Sequence, residues 1–282
     1  MKGELGARLA RRLAACSSAA AVEVVAEALA ELRPMDPSGA TAVVRARPEL
    51  VELARRGRVF SLAQRLQELA AAQECLACGT CCRTSSPTLY RRDLSLVSRG
   101  HIPRAHLVTL RAGERVYSPR LGRTLVLERE LIKLAERPRG GCVFLEDHRC
   151  AIYDHRPLQC RHLECWSDRH AGQLEDQPRL DRLLIYQGDE LARTLMAEYD
   201  LKLPAAELAR VLARAAAGET RAEERALELM ELDHRLRRGL SARYGYPPQE
   251  LALLWGRPVV EVAAGYGLRP QAEGGRLRLV RS

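Results

Sequence analysis

Aromatic side chains are scarce in this 282-residue chain: two Phe, two Trp and eight Tyr, 4% of the total. Sheets recruit aromatic and β-branched residues, so the shortage, beside an abundance of Ala and Leu, predicts packed helices. Lysine is rarer still, confined to positions 2, 133 and 202, and nearly all positive charge is arginine. Long apolar stretches are also missing. No run reaches the roughly 18 residues that suggest a membrane span, and mean hydropathy is -0.25, so no membrane partner is expected. Nor is there an export signal. Leu13-Ala14-Ala15-Cys16 imitates a lipoprotein cleavage box, but Arg8, Arg11 and Arg12 stand where an apolar segment of about 7–15 residues belongs. The expected location is cytoplasmic, where thiols stay reduced. Cys16 then reads as a small apolar residue on an Ala-rich helix.

What is present is a globular composition, 46% hydrophobic and 29% charged, enough for one large or two modest domains. Formal net charge is +9 and the pI is near 9.3. A basic chain can be drawn to nucleic acid. Here the arginines are mixed with Glu, as in Arg221-Ala-Glu-Glu-Arg225, which is the pattern of a salt-bridged helical surface. The stacking aromatics of single-strand binders are lacking, and nucleic acid is not an expected partner.

Periodicity divides the chain in three. Residues 1–73 read as helical, with Val25, Leu29 and Leu32, then Leu62, Leu66 and Leu69, at i, i+4, i+7. Arg33-Pro-Met-Asp-Pro-Ser-Gly39 reads as a break. Residues 74–168 are less regular. Val116–Leu127 resembles a β-hairpin with a Pro119/Gly122 turn, and 142–153 a second one that would put Cys142 and Cys150 on neighbouring strands. Residues 169–282 return to helix, with Leu229, Leu232, Leu236 and Leu240 on one face. A short helix is expected near 249–255, and a strand or loose tail at 276–280. The expected fold class is mainly α, with helical N- and C-terminal segments around a small irregular α+β, cysteine-rich metal-binding core.

Sulfur is the strongest signal. Of nine cysteines, eight fall between residues 75 and 165: Cys75, Cys78, Cys81, Cys82, Cys142, Cys150, Cys160 and Cys165. In a C-x2-C the intervening residues turn tightly and point both sulfurs at one ion. Gly79, after the second cysteine, suits a positive φ or unhindered amides directed at sulfur. Metal or cluster ligation therefore leads over structural or redox-only roles. The C-x2-C-x2-C run has the ferredoxin-type spacing that wraps three corners of a [4Fe–4S] cluster. Zinc would be satisfied by two local pairs. Zinc and iron, alone or in an iron–sulfur cluster, both stay open. In extended backbone, Cys81 and Cys82 would point to opposite faces, so one of them is expected in a second site or outside the ligand set. His148, His155 and His162 are each more readily supporting residues than ligands. Arg83, Arg149, Arg156 and Arg161 lie beside cysteines, where N–H donors can offset thiolate charge.

Cys75-x2-Cys78-Gly79-x-Cys81-Cys82, then Cys142-x-Phe144-Leu145, then Cys150-Ala-Ile-Tyr153-Asp-His-Arg156-Pro157-Leu-Gln-Cys160-Arg161 resembles the YkgJ-type cysteine-cluster (CxxCxxCC) proteins, over roughly residues 74–166. The resemblance implies a zinc- or iron-chelating domain whose ligands fall on Cys75, Cys78, Cys81, Cys82, Cys142, Cys150 and Cys160, with Cys165 a further candidate. A similar signature in bacterial flagellin lysine N-methylases, where an iron–sulfur cluster is implicated, implies iron slightly ahead of zinc and makes a cluster-dependent oxidoreductase or methyl-transfer enzyme the alternative to a plain metal-binding protein. No Gly-rich nucleotide turn follows a strand here. In the Tyr153…Arg156-Pro157 segment, Pro157 is expected to end a strand, Arg156 to meet a carboxylate or thiolate, and Tyr153 to shield the site.

Overall fold

A computed structural model describes residues 2–17, 20–118, 121–165, 174, 176–273 and 276–281. It is mainly α, with a small α+β region. The first half runs α1 (Lys2–Ala14), α2 (Ala21–Leu32), α3 (Pro37–Arg45), α4 (Pro48–Arg55), α5 (Val59–Ala71), α6 (Thr80–Thr84) and α7 (Leu94–Ser98). Six short strands follow: β1 (Leu107–Leu110), β2 (Arg115–Ser118), β3 (Arg123–Val126), β4 (Leu131–Leu134), β5 (Leu145–Glu146) and β6 (Arg149–Cys150). The remainder is α8 (Leu158–Arg161), α9 (Arg182–Ile185), α10 (Glu190–Lys202), α11 (Ala205–Ala216), α12 (Thr220–Tyr244), α13 (Pro248–Leu254), α14 (Val259–Ala264), β7 (Leu268–Glu273) and β8 (Arg276–Arg281). Among the described residues, no helix is long and apolar enough to cross a membrane.

The chain divides into two compact units, residues 1–85, 138–156 and 160–176 in one, residues 86–137, 157–159 and 177–282 in the other. In the first, α1 to α5 close around Leu9, Val25, Leu29, Val44, Leu50, Leu62 and Leu66. The periodicity of α2 and α5 is realised there as buried stripes. Leu76 and Cys78 belong to the same core, so the cysteine loop is pinned to the helices by its own apolar residues.

The break expected at 33–39 is shorter than the sequence suggests. Pro37 occupies the first turn of α3, where its missing N–H is not needed, and the Asp36 carboxylate caps the helix by accepting the Gly39 N–H at 2.7 Å. Position 39 of α3 takes glycine because the helix lies against the cysteine loop: a Cβ there would sit 2.5 Å from the Cys78 carbonyl oxygen. Cys16 lies just beyond α1, its thiol donating to the Leu13 carbonyl at 3.5 Å, rather than within a helix.

The second unit holds the hairpin expected at 116–127, as β2 paired antiparallel to β3 from Arg115↔Val126 to Ser118↔Arg123. Gly122 has φ +61 in its turn; Pro119 lies outside the described residues. β1 pairs with β4, Leu107 opposite Leu134. The expected helix near 249–255 is α13, and 276–280 lies in β8, paired with β7. On α12 the expected leucine stripe is shared: Leu229 and Leu240 are buried, and so are Met230 and Asp233. Charge inside this unit is paired. Buried Arg182 meets Glu130 at 2.8 Å and Asp200 at 3.0 Å, and Asp233 accepts from Tyr199 Oη at 2.6 Å, Arg237 Nε at 2.7 Å and the Val259 N–H at 2.9 Å.

Candidate metal centre

All eight cysteines of the cluster belong to the first unit. Between α5 and α6 the chain turns twice, with positive φ at Ala77 (+56) and Gly79 (+73). The first turn aims the Ala77 N–H at Cys75 Sγ, 3.4 Å away. The second starts α6. A Cβ on Gly79 would lie 2.6 Å from Arg83 Nη1 and 3.1 Å from the His148 Cα, so glycine is needed both for conformation and for the approach of the second cysteine stretch.

Because α6 is helical rather than extended, Cys81 and Cys82 do not point to opposite faces. Their sulfurs are 3.9 Å apart. Two thiolates on one tetrahedral ion at a metal–sulfur distance of ~2.3 Å stand about 3.8 Å apart, so this is the spacing of neighbouring ligand corners.

The second stretch is stitched to the first. The Cys142 N–H donates to the Cys82 carbonyl at 2.7 Å, and a Cβ on Gly141 would fall 3.0 Å from that same oxygen. The expected hairpin is shorter than the sequence reading: β5 and β6 pair as Leu145↔Cys150 and Glu146↔Arg149 around Asp147 and His148, both at positive φ. Cys150 is on a strand, but Cys142 lies before β5 in a turn closed by the Leu145 N–H on its carbonyl, at 3.0 Å. The Ile152 N–H donates to the Cys150 sulfur, repeating at i+2 the arrangement at Cys75. Pro157 does not end a strand. β6 has already stopped at Cys150, a 3-10 turn at Tyr153–His155 intervenes, and Pro157 precedes α8, which carries Cys160.

No disulfide joins any of the nine cysteines. Burial raises the pKa of the Cys75, Cys150 and Cys160 thiols above the ordinary range, and neighbouring cysteines raise each further. Cys81, Cys165 and Cys78 act on Cys75; Cys75 and Cys81 act on Cys150; Cys81, Cys142 and Cys150 act on Cys160. The Cys81 thiol is raised most by its hydrogen bond with Cys82 and next by burial. Sulfurs from 75–82, 142–150, 160 and 165 thus lie within electrostatic reach of one another. Among the described residues, no three His, Cys, Asp or Glu side chains are arranged as they stand to hold a metal ion. As a donor set the thiols fit a thiophilic ion: reduced, part-buried sulfur with backbone N–H donors on Cys75 and Cys150.

The surrounding arginines divide the work differently from the expectation that all serve sulfur. Arg83 is a clamp. Its Nε and Nη2 donate to both Asp36 oxygens at 2.6–3.0 Å, Nη2 also to the Cys78 carbonyl at 2.8 Å, and Nη1 to His148 Nδ1 at 2.8 Å. Burial by itself would raise the Asp36 carboxyl; hydrogen bonds from Arg83, the Gly39 N–H and Ser38 outweigh it and hold the pKa well below the carboxylate range. Because a guanidinium only donates, His148 Nδ1 accepts and Nε2 carries the proton, so neither nitrogen is open to an ion in this arrangement. Arg156 donates to the Tyr153 carbonyl, stacks 3.7 Å from that ring, and its charge opposes the rise at Cys150 and Cys160. Tyr153 is 41% exposed and does not seal the site. Two contributors were missed in the sequence. Asp36 anchors Arg83, and buried Arg33 donates to the Ala72 and Glu74 carbonyls at 2.8 and 2.7 Å and to Cys165 Sγ at 3.5 Å. Both sit in the segment read as a break, where only the Asp-Pro pair signalled a helix start.

Residues 74–178 match the CxxCxxCC family model, described as a "putative zinc- or iron-chelating domain". Over this segment the chain is similar to the CxxCxxCC family. Of the eight clustered cysteines, every one falls inside the matched range. No curated protein matches the chain, and no solved structure does.

Proposed function

We propose that the chain binds zinc or iron through thiolates drawn from both cysteine stretches, with iron, as an iron–sulfur cluster, slightly favoured by the C-x2-C-x2-C spacing. The residues that would hold it are Cys75, Cys78, Cys81, Cys82, Cys142, Cys150 and Cys160, with Cys165 beside Arg33 a further ligand. The observation that carries this reading is the mutual approach of thiols from separate stretches, with a backbone N–H two residues on at both Cys75 and Cys150. A bound divalent ion would reverse the local electrostatics: buried sulfurs that resist ionisation alone become thiolates beside the cation and release their protons. Arg33 donates an N–H to Cys165 Sγ, the Arg156 charge favours thiolate at Cys150 and Cys160, and Arg83 holds the first loop against the second hairpin.

The chemistry such a centre supplies is structural cross-linking if zinc, and electron transfer or Lewis acidity if iron. The second reading is a cluster-dependent enzyme, an oxidoreductase or a catalyst related to protein lysine methyl transfer. A pocket opening at Cys75 favours it. Elemental and acid-labile sulfide analysis of anoxically purified protein separates the readings. Brown protein with near-stoichiometric iron and sulfide supports a cluster, and colourless protein with zinc supports a structural ion. Protein holding neither after anoxic reconstitution would end the proposal.

A further inference from the structure

Beside Cys75 lies a pocket of about 390 Å³ whose wall includes Arg47, Ala77, Asp147, His148 and Arg149. That volume falls within the ~300–1,000 Å³ of small-molecule sites. Three observations single it out. First, the three non-glycine residues with positive φ among the described residues, Ala77, Asp147 and His148, all line it. Strained backbone persists where surroundings over-determine it, and such positions concentrate at ligand clamps.

Second, its cations are unspent. Arg47 donates only to the Val43 carbonyl in its own turn, at 3.1 Å, and no hydrogen bond or ion pair among the described residues engages the Arg149 guanidinium. Buried arginines of the other unit, Arg111 and Arg182, are by contrast each matched to carboxylates. Third, the remaining polar lining is unbalanced. His148 presents an N–H at Nε2 because Arg83 occupies Nδ1, and Asp147 is the one carboxylate among the lining residues. Two guanidiniums against one carboxylate leave the wall attractive to an oxyanion, which Arg reads bidentately.

We propose that this pocket binds a small molecule through an oxyanion group, a carboxylate or a phosphate, held by Arg47 and Arg149, and sets it against the Cys75 edge of the metal centre. The placement beside the metal rests on the function proposed above; the oxyanion site does not.

The test uses full-length, anoxically purified protein, with metal content measured in the same samples. Inorganic phosphate and succinate are titrated separately by calorimetry, and the absorption spectrum of bound iron, or of cobalt substituted for zinc, is followed in parallel. Saturable binding of at least one anion is expected, weakened about tenfold or more in Arg149→Ala and in Arg47→Ala. Arg149→Lys should recover part of the loss. Asp147→Asn, which keeps a residue tolerant of positive φ, should tighten binding. Metal content and melting temperature should not change in Arg149→Ala, whose guanidinium makes no hydrogen bond or ion pair among the described residues. The phosphate and succinate arms tell which oxyanion the pocket accepts. No binding of either anion by the wild-type protein, or binding indifferent to both arginine variants, overturns the site. Binding that leaves the spectrum of the iron-loaded or cobalt-substituted protein unmoved overturns the placement against Cys75. Protein that carries no metal yet binds anions with this arginine dependence refutes the metal reading and upholds the pocket.

Discussion

The two units of this molecule handle buried polar chemistry in opposite ways. In the second, buried charges are met within the chain, most of them by opposite charge: Arg182 with Glu130 and Asp200, Glu114 with Arg257 at 2.6 Å, Asp233 with Arg237, while Asp93 accepts the Tyr90 and Leu158 N–H groups at 2.9 and 2.8 Å. Tyr199, stacked on Trp255 at 4.6 Å, links Asp233 to that network. In the first, the buried polarisable groups are thiols, and their neighbours are other thiols. Ionising one opposes ionising the next. One unit matches its buried charge internally, and the other gathers neutral thiols that a bound cation would convert to thiolates. The difference teaches where metal dependence should reside.

The largest effect should come from removing the metal. A structural thiolate site contributes about 10–16 kcal/mol, comparable with the ~5–15 kcal/mol net stability of a whole domain. Strong chelation, or Cys78→Ser, should release hydrogen-exchange protection across 74–165 and leave α10 to α14 protected. Equal loss in both units would erase the contrast. Next in size is a break in the second unit. Asp233→Ala strands Arg237 and the Val259 N–H and should cost about 3–5 kcal/mol, seen in denaturant unfolding, with metal content unchanged. Arg83→Ala removes ties to Asp36, the Cys78 carbonyl and His148; about 2 kcal/mol should be lost from the first unit, and metal affinity should fall with it.

Smaller, but sharper in sign, are the pH effects. Cys75, Cys81, Cys150 and Cys160 have folded pKa values raised above the unfolded value. Metal-free protein should therefore keep this contribution below about pH 8.5 and lose stability as pH rises beyond it. Metal-loaded protein should behave the other way, gaining affinity with pH as thiols give up protons to the ion. At the acid end, the depressed Asp36 carboxyl stabilises above its ordinary range, and its share, about 1 kcal/mol for a part-exposed pair, should fade as pH falls below about 5. Thermal melts across pH, with and without chelator, read all three slopes.

Much of this was legible in the chain. Ala and Leu periodicity located α2, α5 and the C-terminal helices, and turn residues located the β2–β3 hairpin, because each depends on local spacing alone. The cysteine stretches announced themselves by density. What stayed hidden depended on tertiary contact. Gly39 looks like a helix breaker until α3 is seen to lie on Cys78. Cys81 and Cys82 look divergent until the turn at Gly79 starts a helix that draws their sulfurs together. Asp36 and Arg33 are ordinary charged residues until the loop folds onto them, 47 and 132 positions away from Arg83 and Cys165. Long-range pairing of that kind leaves no periodic trace.

X-ray absorption at the edge of the bound metal, on anoxically purified wild-type and Cys150→Ser protein, tests the shared centre most directly. A first shell of sulfur near 2.3 Å in the wild type, with fewer sulfur neighbours once Cys150 is replaced, is the predicted result. A shell of oxygen and nitrogen, or a sulfur shell indifferent to Cys150→Ser, would contradict it.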